Sequence, residues 1–163
     1  MNFRRMQAAG LVHNKSFVIF GGYESDGSGR LQSTEIITEE GQVSTGPDMP
    51  TAVSSHAIAA VNATTSIITG GQTSHGLSGR YSSLTWYFNH VTQQFSFFNH
   101  LNIGRHSHAS GTIIDQETKE EIVSVFGGHN GGYYTLDSTE LLMDGEWQEG
   151  RNHAKRTKCF SPL

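Results

Sequence analysis

The sequence has few of the residues that staple a chain, punctuate it or carry it across a membrane. One cysteine, Cys159, occurs in 163 residues, so no internal disulfide forms and no Cys-x-x-Cys metal site exists. No apolar run approaches the roughly eighteen residues of a spanning helix, which excludes a helical membrane anchor and gives no membrane partner. Charge is scarce, at 16% of residues with a net charge of −4. No basic stripe is available to neutralise phosphates, which argues against nucleic acid as a partner. The only basic cluster, Arg151 to Lys158, is short and reads as a solvated end. The opening residues carry arginines without the apolar stretch of a signal peptide. With the lone thiol, that leads to the expectation of a reducing, cytoplasmic setting.

Glycine is plentiful, with nineteen residues against three prolines, and the 35% apolar content is spread evenly along the chain. This pattern predicts many short strands joined by polar turns rather than helices. Three apolar runs end in a glycine doublet: Phe17-Val18-Ile19-Phe20-Gly21-Gly22, Ser66-Ile67-Ile68-Thr69-Gly70-Gly71 and Ile122-Val123-Ser124-Val125-Phe126-Gly127-Gly128. They stand 49 and 57 residues apart, and a period near fifty marks a propeller or array. Leu31-Gln32-Ser33-Thr34-Glu35 and Leu136-Asp137-Ser138-Thr139-Glu140 repeat Leu-x-Ser-Thr-Glu, and Ser83 is expected to hold the serine place between them. Ser55-His56-Ala57 echoes Ser107-His108-Ala109, and Arg5, Arg105 and Arg156 fall at equivalent places, with Val53 in the second unit.

These landmarks resemble the kelch repeat. The resemblance implies an all-β fold: a partial kelch-type β-propeller of about three four-stranded antiparallel blades. Blade 1 covers about 5–50, blade 2 about 51–103, blade 3 about 104–150, and the start of a fourth about 151–163. The large residue that fills the wedge between blades is Trp147 in the third unit and Phe95 in the second, with only Val43 in the first. The doublets then serve architecture, because glycine permits positive φ and close backbone approach. No phosphate-cradling motif follows them. Three blades leave a ring open. The expectation is therefore a piece of a longer kelch protein or two chains joined in one ring, with self-association through open blade edges.

The resemblance places partner binding on the loops after the doublets. These are 23–30, 72–80 and 129–135, with candidate residues Tyr23, Arg30, His75, Arg80, His129, Tyr133 and Tyr134. Arg30 and Arg80 each end a Ser-Gly-Arg echo, and are expected to face one mouth and accept an acidic segment of a protein partner. His106 and His108 share a strand face by period two. Because His56 and His108 recur at one repeat position, packing is favoured over metal ligation, and no catalytic group, metal or other cofactor is assigned. The expected function is a protein–protein interaction scaffold, of the kind used as a ubiquitin-ligase substrate adaptor or cytoskeletal scaffold. The alternatives are a kelch-propeller enzyme, galactose-oxidase-like or a sugar mutarotase, and a glycan-binding propeller.

Overall fold

The computed structural model describes residues 2–24, 29–73, 80–115, 118–131 and 135–150, the Arg80 side chain excepted. The described residues contain no helix, and hence none long and apolar enough to cross a membrane. They form three four-stranded antiparallel sheets, one per repeat unit. The first holds Ala9–His13, Ser16–Phe20, Thr34–Ile37 and Val43–Thr45. The second holds Ala57–Ala60, Thr65–Thr69, Leu84–Asn89 and Gln94–His100. The third holds Ala109–Ile114, Glu121–Phe126, Thr139–Met143 and Glu146–Glu149. The expected start of a fourth blade lies outside the described residues.

Turn chemistry closes the hairpins. Asn14-Lys15 (φ 44° and 62°) and Asp144-Gly145 (φ 52° and 77°) make two-residue turns with both residues left-handed, which matches the twist of the flanking strands. The apolar run of the second unit lacks polar alternation because both of its faces are covered. Val18 and Phe20 of the first sheet meet Ile68 and Phe88 of the second. Ile67, the neighbour of Ile68, points the opposite way to Val123 and Val125 of the third. The first strands of the three units lie side by side.

Two backbone hydrogen bonds of 2.8 Å, beside longer ones from Val53 N–H to Leu31 O and from Arg105 N–H to Ser82 O, tie each unit to the next. The Gly22 N–H donates to the Val53 carbonyl and the Gly71 N–H to the Arg105 carbonyl, each at 2.8 Å. A Cβ on Gly21 or Gly70 would lie 2.5 Å from that same carbonyl oxygen. The second bond runs from Ser55 N–H to Gln7 O and from Ser107 N–H to Ser55 O, again 2.8 Å each. Gln7, Ser55 and Ser107 all carry left-handed φ, at 56°, 54° and 51°.

A buried ion pair fastens the first and third units. Arg105 donates through Nη1 to Gly127 O and Ser138 O, and through Nη2 to Ser138 Oγ and to Glu140 Oε1 at 2.6 Å. Glu140 also accepts the N–H groups of Asn102 and Ile103, in the link from the second unit. Arg5 repeats the set on Gly21, Ser33 and Glu35, with Glu35 accepting the N–H of Asn2. The second unit replaces the whole set. Gly70 N–H donates to Leu84 O, where Gly21 and Gly127 use Ser33 O and Ser138 O, so Leu84 and not Ser83 holds the serine place. Trp86 then stands across from Ile68 as Glu35 does from Ile19 and Glu140 from Val125. With Val53 for arginine, Trp86 for glutamate and Pro50 at the place of Asn102, the cation, the anion and the linker N–H vanish together. Val53 instead joins the buried apolar cluster, with Trp86 packed against it. Such an exchange of a buried charge set for packed apolar side chains is close to neutral, whereas losing one partner is not.

Accordingly, Glu140→Ala should lower stability by about 3–5 kcal/mol in urea unfolding, because it leaves Arg105 buried and unpaired. A loss near zero would contradict this reading. Gly145→Ala pays only the left-handed backbone cost of ~1–2 kcal/mol, and Gly70→Ala should cost clearly more because it displaces the Arg105 carbonyl. Equal losses would contradict the close approach.

Candidate functional site

The described residues after the first two doublets form short paired strands, and those after the third form single bridges. Tyr23–Glu24 pairs with Gly29–Arg30, and Tyr23 also bridges to Met6. In the second unit Gln72–Thr73 pairs with both Arg80–Tyr81 and Val53–Ser54. In the third His129 bridges to His106 and to Thr135. Each unit therefore places three positions on this hairpin face: Met6, Tyr23 and Arg30; Ser54, Gln72 and Tyr81; His106, His129 and Thr135.

That register alters one expectation. Tyr23 and Gln72 both follow a doublet directly, and their partners are Arg30 and Tyr81. The counterpart of Arg30 is Tyr81, and Arg80 aligns with Gly29. The Ser-Gly-Arg echo is a likeness of sequence and not of place.

The last position of units one and two reaches across to the next unit. Arg30 donates through Nε to Ser54 Oγ at 3.0 Å and through Nη2 to Gln72 Oε1 at 2.9 Å. Tyr81 stacks on His106 with ring centroids 4.8 Å apart and planes 16° from parallel. His106 continues the stack onto His129 at 5.4 Å and 24°. Gly131 lies under the same tyrosine, where a Cβ would come within 2.9 Å of the ring. Arg30 is near enough that its charge, after burial and His129, holds the His106 imidazole below its ordinary range. Arg30, Gln72, Tyr81, His106 and His129 thus form one half-buried patch drawn from all three units.

Among the sequence candidates, Arg30 and His129 belong to this patch. Tyr23 sits beside it as the strand partner of Arg30, and Arg80 enters only through its backbone pairing with Thr73. His75, Tyr133 and Tyr134 lie outside the described residues. Sequence reasoning missed Ser54, Gln72, Tyr81 and His106. The available signal was register: Gln72 follows its doublet as Tyr23 does, and His106 follows Arg105 as Met6 follows Arg5.

His106 and His108 do not share a strand face, because the left-handed Ser107 between them breaks the alternation. His108 turns inward, bonding Thr69 Oγ1 through Nε2 at 2.9 Å. His56 is buried with neither ring nitrogen partnered among the described residues. Burial is the main cause that lowers the pKa of His56 to about 4 and of His108 to about 3, the latter aided by the nearby Arg105. No group of three or more metal-ligating side chains comes together among the described residues. No protein-family model matches the sequence, and no curated protein matches it.

The inner histidines set a pH dependence. Both are neutral when folded, and their pKa values are depressed from 6.5. Their contribution to stability is complete above pH 6.5 and is lost as the pH falls from there toward 4. Each ring removes up to ~1.4 kcal/mol per pH unit. Urea unfolding between pH 7.5 and 5 should show that loss, and His56→Gln should make the slope shallower. A slope unchanged by the substitution would contradict the assignment.

Proposed function

We propose that the three units are kelch-type β-propeller repeats and that the hairpin face binds a protein partner through an acidic segment. The cross-unit patch carries this reading. Arg30, Tyr81, His106 and His129 come from three units and are held in place by contacts between units, so a partner meets a pre-ordered surface rather than mobile loops. Arginine and tyrosine are the residue types that anchor interfaces most often. The repeating Gly-Gly doublets and Leu-x-Ser-Thr-Glu segments support the kelch reading, with Trp147 buried at the place of the blade-filling residue. The function is then that of a scaffold working in the cytoplasm, of the adaptor or cytoskeletal kind, and no catalytic role is assigned to the face. The first sheet's outward face, with Phe17 and Val12 at 41% and 71% exposure, supports self-association as a second contact of the same scaffold.

A display selection of random peptides against the protein should return sequences enriched in Asp and Glu. Their affinity should fall about tenfold or more, ~1.4 kcal/mol or above, in Arg30→Ala with Tyr81→Ala. Selected peptides without acidic bias, bound equally by the double variant, would overturn the reading.

A further inference from the structure

Three cation-capable side chains meet on the hairpin face with no anion among them. Arg30, His106 and His129 form no ion pair among the described residues, where the ion pairs are Arg5–Glu35, Lys15–Glu39 and Arg105–Glu140. This occurs in a chain of net charge −4, so it is not a surplus of base finding no acid. The donors are also directed. Arg30 uses Nε and Nη2 on Ser54 and Gln72, which fixes its plane and leaves Nη1 without a partner among the described residues. His106 uses Nδ1 on Ser107 Oγ at 3.0 Å, leaving Nε2. The faces of His106 are covered by Tyr81 and His129, so its remaining nitrogen is reached along the rim of the stack. His129 is pinned by a backbone bond in each direction with His106, both 2.9 Å.

From this geometry we infer that Arg30, His106 and His129 form a proton-coupled carboxylate seat, in which an acidic side chain of the partner binds as a proton moves onto the His106 imidazole. The inference rests on the protein-binding reading above and adds its chemistry. Without an anion, burial and then the charges of His129 and Arg30 oppose protonation of His106, with His108 coupled to it from behind and Tyr81 stacked on its ring. A carboxylate beside Arg30 reverses the local field and favours the imidazolium. The proton comes from solvent and returns to it on release, with no bond made or broken in the partner. By linkage, affinity rises as the pH falls toward the histidine range, by at most about tenfold per pH unit for one proton.

The probe is an acetylated hexaglutamate peptide, with hexalysine as control, titrated calorimetrically in two buffers of different ionisation enthalpy. At pH 6.5 the peptide should bind with net uptake of up to one proton, and more tightly than at pH 7.5; hexalysine should not bind. His106→Gln should cut the uptake while retaining Arg30-dependent binding, and circular dichroism should show the variant folded at both pH values. Should that variant unfold, the wild-type pH series carries the test alone: proton uptake should fade between pH 6.5 and 8.5, and uptake unchanged at pH 8.5 would overturn the seat. Wild-type binding without proton uptake would overturn the coupled seat and leave the protein-binding reading intact. No binding of hexaglutamate at either pH would overturn the carboxylate seat. Failure of the protein-binding reading itself is seen separately, in the display selection.

Discussion

The structure depends on a close approach of backbone between neighbouring units. A carbonyl at the start of one unit enters the space beside a glycine doublet of the unit before it, and the second glycine N–H meets it at 2.8 Å. Any side chain on the first glycine would occupy the oxygen's place. The left-handed residue two positions after that carbonyl then turns the chain, and its N–H meets the preceding unit a second time. These bonds set the offset between sheets. They also bring the segment just after that carbonyl alongside the hairpin of its own unit, which is why Ser54 pairs with Gln72 and His106 with His129. The patch on the hairpin face is thus a consequence of how the units dock.

What fills the space behind that junction varies, and it varies as a set. Units one and three use arginine, serine, glutamate and a linker N–H, bonded to one another around a buried ion pair. Unit two has valine, leucine, tryptophan and proline at the corresponding places. A buried arginine without its glutamate, or a glutamate without donors, would leave an uncompensated charge, so intermediate combinations are costly. Both solutions preserve the backbone junction, which shows that the junction is the constant feature and the side-chain network its replaceable support.

Much of this was legible in the sequence because it is local. The doublets, the apolar runs before them and the Asp144-Gly145 turn each state a backbone need within a few residues, and the strands follow. Register in the second unit was not legible. The segment from Gln72 to Tyr81 is longer than its counterpart from Tyr23 to Arg30, so counting from the doublet placed Ser83 one residue early. The Ser-Gly-Arg echo misled for the same reason. Half of the patch was hidden for a different one: Tyr81 and His106 touch across a junction, 25 residues apart in sequence, and neither carries a mark of that contact. Arg30 and His129 were visible because they sit in conspicuous glycine-rich polar segments.

The inter-unit backbone bonds hold the sheets and the hairpin face in place, and amide hydrogen exchange reads them singly. The Gly22, Ser55, Gly71 and Ser107 amides should exchange as slowly as Val18 and Ile67 in the buried strands, since breaking them requires units to separate. Rapid exchange at these four amides, with the strand amides still protected, would contradict the docking on which the fold and the hairpin-face site both depend.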